Sequence, residues 1–204
     1  MKTKANKPAK SNIAKMAIVG VLSAIAYLLM FMEFSVPLMP VFIKMDLSDF
    51  PALIGSLAVG PVGGVIIALI KNLLHLTVTS TGGVGELSNF ILNAVFVLPA
   101  GFLYKRKKSK KSACGGAILG AVLMAVFSVV SNYFVVYPVY YNFMPEDTIL
   151  AAYQAIFPGV KSILQSLIIF NMPFTFIKAM ISVVITFLIY NHLVPILTMN
   201  KRSE

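Results

Sequence analysis

The stretch that decides the fold runs from residue 46 to residue 93 and reads DLSDFPALIGSLAVGPVGGVIIALIKNLLHLTVTSTGGVGELSNFILN. Its apolar segments are too short or too interrupted to be ordinary membrane spans, and they carry several polar and ionisable side chains. These are Asp46, Asp49, Lys71, His75, Glu86, Asn89 and Asn93. Ionisable groups inside a hydrophobic region mark function by default, because burying a charge is costly. The stretch therefore predicts a polar site among apolar helices.

Helical spacing sorts these polar side chains into faces. If Glu86 opens a helix, Asn89 and Asn93 follow it at i+3 and i+7 on one face. Lys71 and His75 share a face of the preceding helix at i and i+4. The pattern predicts a polar pocket between these two helices.

Composition identifies an integral membrane protein with only α-helical spans. Hydrophobic residues make up 58% of the chain and charged residues 12%, and the mean hydropathy is +0.87, whereas soluble domains are about 25% charged. A chain of 204 residues holds about six spans of roughly 20 residues. We predict a single six-helix transmembrane domain over residues 13–198, with a cytoplasmic basic tail at 1–12 and a second cytoplasmic tail at 199–204.

The net charge of +10 reflects membrane topology rather than nucleic-acid binding, because the basic residues are grouped. Most of the Lys and Arg residues lie in three groups: Lys2, Lys4, Lys7, Lys10 and Lys15; the run 105–111; and Lys201 with Arg202. Most acids lie at the opposite ends of the apolar segments. The positive-inside rule therefore predicts that both termini and the 105–111 loop are cytoplasmic, in a multi-pass protein of the cell membrane.

Several kinds of chemistry have no sequence signal. Cys114 is the only cysteine, which excludes a disulfide within one chain. The chain lacks the phosphate-binding pattern G-x-x-x-x-G-K-[ST], as well as H-E-x-x-H and G-x-S-x-G. The predicted topology places His75 and His192 at opposite membrane faces, too far apart to share a metal. We therefore expect neither an enzyme, nor a metal site, nor a bound cofactor.

The apolar segments set the order of the spans. The first runs from Ile13 to Phe34 and contains Gly20 and Ala24, a pair of small residues four apart that lets another helix approach closely. A Pro-containing loop at 35–48 carries the apolar residues Leu38, Met39 and Phe42. It either covers a ligand or packs on neighbouring helices. The further segments are spans at 49–59, 61–76, 86–104 and 113–136, an outer segment at 137–154, an outer or partly re-entrant helix at 155–170, and a last span at 171–197.

Polar residues converge on one depth in this arrangement. Asn171, Phe174 and Lys178 follow one another at i, i+3 and i+7 on one face of the last span. In the outer halves of their spans lie Lys71, His75, Glu86, Asn89, Asn93, Ser128, Asn132, Asn171 and Lys178. A pocket that opens outward is predicted. The alternative is that Lys71 pairs with Glu86 and the asparagines hold helices together.

Three runs of residues resemble a known family. They are Asp49-Phe-Pro-Ala-Leu-Ile-Gly55; Gly60-Pro61 with Lys71-Asn72; and Gly85-Glu86-Leu-Ser-Asn89-Phe90. Together with the first helix, the Pro-rich loop and Phe170-Asn-Met-Pro173, they make the chain similar to the riboflavin-specific S components of energy-coupling-factor (ECF) vitamin transporters. The resemblance covers essentially the whole chain.

The resemblance implies a six-helix subunit that captures riboflavin tightly from outside and depends on other subunits for uptake. Those partners are a transmembrane coupling subunit and two ATPases. The family docks through an Ala-xxx-Ala surface of the first helix, for which this chain has Gly20 and Ala24. A flavin ring needs apolar faces, which Leu38, Met39, Phe42 and Phe174 can supply, and polar partners, which Asp46, Asn132, Asn171 and Lys178 can supply. The polar residues Lys71, Glu86 and Asn89 complete the candidate site.

Two other readings of the sequence stay open. A stand-alone secondary transporter is expected to show inverted repeats and broken helices at the midplane, and no convincing repeat is visible. An integral membrane enzyme would use Glu86, His75 and Lys71 as acid and base, but it needs a nucleophile or metal that the sequence does not show.

Overall fold

The structure is a computed structural model that describes residues 7–192, with side chains from residue 12 onward. It is predominantly helical, and five of the described helical segments are long and apolar enough to cross a membrane. The helices are α1 (Lys7–Phe31), α2 (Asp49–Ala58), α3 (Pro61–His75), α4 (Val84–Arg106), α5 (Lys110–Ser131), α6 (Tyr137–Tyr140), α7 (Glu146–Gln154), α8 (Ile163–Ser166) and α9 (Met172–Leu188). A short 3₁₀ turn at Leu76–Val78 follows α3.

The short helix α2 confirms the prediction of a brief apolar helix at the start of the deciding stretch. It has ten residues, nearly all buried, so it lies inside the bundle. Gly60 then turns the chain with a φ of 118°, a value that L side chains rarely adopt. Pro61 opens α3, a position where its missing N–H costs nothing.

Glycines allow α4 to approach its neighbours closely. A Cβ placed on Gly120 of α5 would lie 2.1 Å from the backbone oxygen of Phe96. A Cβ on Gly101 would lie 2.3 Å from Oγ of Ser56, which itself donates a hydrogen bond to the Val97 carbonyl on α4. Close backbone approach through small residues is how membrane helices gain packing energy.

The loop after α1 contains a small β-hairpin that the all-α prediction did not include. Strand β1 (Phe34–Ser35) pairs antiparallel with β2 (Lys44–Met45), with Phe34 opposite Met45. The two strands close the base of the 36–43 loop. Leu38, within the loop, has a φ of 67° and is 77% exposed.

The predicted boundaries of the last two spans are wrong. The helix expected over 155–170 begins only at Ile163, and the break expected at Asn171 is absent, because one helical segment runs over Ile163–Leu188. The preceding span likewise continues past Val136, over Lys110–Tyr140. Each of these two long segments stays continuous through a π-helical stretch. A helical turn that contains a proline follows each stretch.

The π-helical stretches are Asn132–Val136 and Leu167–Asn171. In each, a backbone N–H reaches back five residues: Tyr137 to the Asn132 carbonyl, and Met172 to the Leu167 carbonyl. Pro138 and Pro173 follow immediately. Proline lacks an N–H and its ring clashes with a carbonyl one turn back, so a widened turn lets the helix pass through without breaking.

The basic loop between α4 and α5 lies at the end of α4 opposite Glu86. Helix α4 begins at Val84 and ends at Arg106, and α5 starts at Lys110. Helix α1 begins at Lys7, inside the stretch predicted as a tail. Residues 1–6 and 193–204, which contain the predicted C-terminal tail and the end of the last span, lie outside the described residues.

Candidate ligand-binding cavity

A cavity lies among the ends of α1, α3, α5 and α6, the start of α4, the hairpin, and the start of α9. It offers about 170 Å³ to the centres of water-sized molecules, whereas one water needs roughly 10 to 15 Å³ on that measure. It therefore has room for an organic ligand. Its walls are formed by Met30, Glu33, Phe42, Ile43, Lys44, Asp46, His75, Ser80, Thr81, Val84, Gly85, Glu86, Ser88, Asn89, Leu92, Met124, Asn132, Val136, Tyr137, Tyr140, Asn171, Phe174, Thr175 and Lys178.

The two π-helical stretches each bring an asparagine to the wall. Asn132 begins the first stretch and Asn171 ends the second, and both line the cavity. Nδ2 and Oδ1 of an asparagine supply two donors and an acceptor in one side chain. π-helical turns within α-helices are frequent at functional sites. These elements place two amide groups where they can read the polar edge of a ligand.

Three ion pairs, formed by two lysines and two acids, lie at one side of the cavity. Lys178 of α9 lies 2.8 Å from Oδ2 of Asp46 and 3.6 Å from Oδ2 of Asp49. Lys71 of α3, which is fully buried, lies 2.8 Å from Oδ1 of Asp49, and Asn93 also donates to that oxygen. Burial alone would raise the pKa of the Asp46 carboxyl, but Lys178 and Lys71 outweigh it and hold this pKa below its ordinary value.

Asp46 also stabilises the loop that leads into α2. Its Oδ1 accepts hydrogen bonds from the backbone N–H and the hydroxyl of Ser48. The Ser48 hydroxyl in turn accepts from Lys71 at 2.5 Å. Two acids and two lysines thus join the loop before α2 to α3 and α9. Lys178 and Asp46 face the cavity, whereas Lys71 and Asp49 are not among its wall residues.

The Glu86 carboxylate is held by residues that lie close to it in the sequence. Its Oε1 lies 2.7 Å from Nδ1 of His75, and its Oε2 accepts from the hydroxyls of Thr79 and Thr81 at 2.9 and 3.3 Å. The carboxylate therefore ties the loop between α3 and α4 to the start of α4. The pairing of Lys71 with Glu86 that the sequence left open does not occur, since each residue has another partner.

Aromatic rings form another part of the wall. Phe42 of the loop lies 5.7 Å, centroid to centroid, from Tyr140 and 6.0 Å from Tyr153. Phe174 lines the wall from α9. Aromatic walls with a few placed polar groups are typical of small-molecule sites.

The structure brings most of the predicted site residues together. Lining the cavity are Phe42, Asp46, Glu86, Asn89, Asn132, Asn171, Phe174 and Lys178. Leu38 and Met39 are not among the lining residues, and neither is Lys71. Leu38 is exposed on the hairpin loop, and Lys71 lies behind the wall on Asp49.

Sequence reasoning missed other wall residues, including Lys44, Ser88, Tyr137, Tyr140 and Thr175. Thr175 lies one turn after Asn171, so the spacing that grouped Asn171 with Lys178 would have found it. Lys44 lies on β2, and it donates to Glu33 at 2.5 Å and to Ser80 at 3.2 Å. No sequence signal indicated that strand. Across residues 12–192, no group of three His, Cys, Asp or Glu side chains is arranged to hold a metal.

Comparisons with known proteins all indicate the same family. The model for the substrate-specific component of ECF transporters matches residues 14–190. The "Riboflavin transporter RibU" of Staphylococcus aureus (strain TCH60) is 34% identical over 179 residues, which are 88% of this chain and 89% of that protein. The "Riboflavin transporter FmnP" of Bacillus subtilis (strain 168) is 33% identical over 188 residues, 90% of this chain and 93% of that one.

A solved structure shares the fold. It is described as "Structure and mechanism of the S component of a bacterial ECF transporter". The two chains align with a TM-score of 0.70 and 32% sequence identity, over 90% of this chain and 96% of the other. The likeness therefore extends over nearly the whole of both molecules.

Proposed function

We propose, from the premise that this chain belongs to the substrate-specific components of ECF transporters, that it is the high-affinity riboflavin-binding membrane subunit of a vitamin importer. The family consists of transporter subunits, not enzymes, and the chain is a multi-pass membrane protein. The relatives that carry riboflavin in their names match across most of their length. Their names support the choice of ligand.

The observation that carries the ligand assignment is the composition of the cavity wall. Aromatic rings of Phe42, Tyr140 and Phe174 lie in the same wall as the amides of Asn132 and Asn171. Riboflavin has a flat apolar ring system with polar edges and a chain of hydroxyl groups, and it needs apolar faces with a few polar partners.

The charges of the wall also favour an uncharged ligand. Lys44 is paired with Glu33, and Lys178 is paired with Asp46. A charged ligand would have to compete with these pairs, whereas a neutral one accepts or donates hydrogen bonds without separating them. Riboflavin, which is uncharged and carries no phosphate, fits this condition.

The arrangement in the membrane is part of the proposal. The six spans are α1, α2, α3, α4, the segment Lys110–Tyr140 and the segment Ile163–Leu188, with α2 as a short, shielded span. The basic loop between α4 and α5 lies at the end of α4 opposite the cavity. The positive-inside rule then gives an outward-facing cavity and cytoplasmic termini. Gly20 and Ala24, both exposed on α1, are the proposed docking surface for a transmembrane coupling subunit that works with two ATPases.

Riboflavin should bind the isolated protein without ATP, because the cavity is built from this chain alone and the sequence has no nucleotide-binding motif. Equilibrium titration by quenching of flavin fluorescence measures this. Saturable quenching with one site per chain is expected, and a yellow colour after purification would agree with it. Well-folded protein that gives no saturable quenching would exclude riboflavin as the ligand.

Asn132→Ala and Asn171→Ala should each weaken riboflavin binding by about 1 to 3 kcal/mol, because a buried polar group of the ligand would lose its partner. The same titration measures the change. Asn142→Ala is the matched control, since Asn142 is exposed and donates to the carbonyls of Pro138 and Val139 in its own turn. Affinity that is unchanged in both cavity variants would place the ligand elsewhere. Thermal unfolding checks that each variant is folded.

A further inference from the structure

Three side chains form a hydrogen-bonded relay beside the cavity. The hydroxyl of Tyr153 donates to Oδ1 of Asn171 at 2.7 Å. The hydroxyl oxygens of Tyr137 and Tyr153 are 2.5 Å apart. Tyr137 and Asn171 line the cavity, whereas Tyr153, on α7, is fully buried and is not a wall residue. Tyr153 therefore contacts wall residues from the side that faces away from the cavity.

The direction of the protons in this relay follows from counting donors. A tyrosine hydroxyl has one proton to donate. Tyr153 gives its proton to Asn171, so the proton between the two tyrosines must come from Tyr137. Oδ1 of Asn171 is then directed at Tyr153. The two polar atoms of the planar amide lie on opposite sides of its carbon, so Nδ2 is directed away from Tyr153.

The hydroxyl of Tyr153 keeps the proton that the relay requires. Burial, followed by the neighbouring Tyr137, raises its pKa well above the ordinary value. A raised pKa favours the neutral phenol, so the group remains a donor at all physiological pH values. The ring is also packed against Phe42 and Phe170, with centroid distances of 6.0 and 5.4 Å. This packing fixes the position from which the hydroxyl donates.

We propose that Tyr153 is a positioning residue that turns the amide nitrogen of Asn171 toward the cavity, so that the ligand atom recognised there is a hydrogen-bond acceptor. In the opposite orientation, Asn171 would donate to Tyr153 and present its oxygen to a ligand donor. The inference rests on the proposed riboflavin site and specifies one of its contacts. For a flavin, the acceptor is a carbonyl oxygen or a ring nitrogen rather than the ring imide N–H.

Asn171→Asp tests the orientation with almost no change in shape. One carboxylate oxygen still accepts from Tyr153, and the other replaces the amide nitrogen. If the nitrogen faces an acceptor on the ligand, riboflavin affinity should fall by about tenfold or more, because an acceptor then faces an acceptor. If an oxygen already faces the ligand, affinity should change by less than about threefold. That second result, measured on folded protein, would overturn the proposal.

Tyr153→Phe tests the positioning role with flavin analogues. Each analogue replaces one acceptor of the ring, a ring nitrogen by CH or a carbonyl oxygen by sulfur. Wild-type protein should bind at least one of them about tenfold more weakly than riboflavin. Tyr153→Phe should reduce that ratio, because its Asn171 amide is free to rotate. A merely structural role for Tyr153 would weaken all of these ligands equally and leave the ratio unchanged.

Tyr141→Phe is the matched control, because it removes a hydroxyl from the same aromatic cluster and Tyr141 is not a wall residue of the cavity. Its analogue ratio should equal that of wild type. An unchanged ratio in Tyr153→Phe, or a wild type that binds all analogues as well as riboflavin, would overturn the inference. Failure of wild type to bind riboflavin would instead overturn the proposed function. Should Tyr153→Phe not fold, Asn171→Asp decides alone.

Discussion

The double variant Gly20→Leu/Ala24→Leu is expected to lose most riboflavin uptake, by roughly tenfold or more, while riboflavin affinity of the isolated protein stays within about twofold of wild type. Small residues four apart let a partner helix approach closely, and two leucines hold it away. Gly20 and Ala24 are exposed on α1, and neither lines the cavity. Among the described residues, a Cβ at Gly20 would meet no atom within 4 Å beyond the backbone of its own helix. The isolated chain should therefore tolerate the change.

Two measurements separate docking from binding. Uptake is followed in cells that contain the complete ATPase module, and affinity is measured by titration of the purified protein. Gly115→Leu is the matched control, since Gly115 is an exposed glycine of α5 whose Cβ would likewise meet no described atom within 4 Å outside its own helix backbone. The control should retain uptake. Full uptake by a correctly inserted double variant would mean either another docking surface or a transporter that works alone.

Asp49→Ala should destabilise the protein by about 3 to 5 kcal/mol, because it removes the partner of a buried lysine. Lys71 is fully buried and lies 2.8 Å from the Asp49 carboxylate. Asn93 donates to the same carboxylate oxygen. Chemical unfolding in detergent measures the effect, without riboflavin, since a bound ligand would add to the apparent stability.

Glu33→Ala provides the comparison for this prediction. Its partner Lys44 and Glu33 itself are partly exposed, at 30% and 20%, and pairs of this kind contribute only about 0 to 1 kcal/mol. Asp49→Leu/Lys71→Met should recover part of the lost stability, because it removes both charges from the interior. Equal losses for Asp49→Ala and Glu33→Ala would show that burial of the Asp49 pair has no special cost.

The local features of the deciding stretch could be predicted from the sequence. All four limits of α2 and α3 agree with the expected spans to within one residue, because Gly60 and Pro61 mark the end of one helix and the start of the next. The spacing of Asn171, Phe174 and Lys178 also gave the correct face of α9. Local signals of this kind depend on neighbours within a few residues.

The same local rules gave the wrong boundary at Asn171. Proline usually ends or kinks a helix, so the sequence suggested a break before Pro173. The π-helical stretch at Leu167–Asn171 absorbs the proline and lets the helix continue. A proline in the sequence does not show whether the helix ends or continues through a widened turn. The outcome depends on how the neighbouring helices pack against the residues before and after the proline.

The sequence by itself determined that the chain lies in a membrane, which segments are apolar, where the basic loop falls, and which polar residues share a helix face. Only the tertiary structure decided their partners. Lys178 pairs with Asp46, 132 residues away, and Asn171 with Tyr153 of α7. Helical periodicity fixes the direction of a side chain relative to its own helix axis. It does not fix how each helix is rotated in the bundle, and that rotation selects which acid meets which lysine and which hydroxyl reaches which amide.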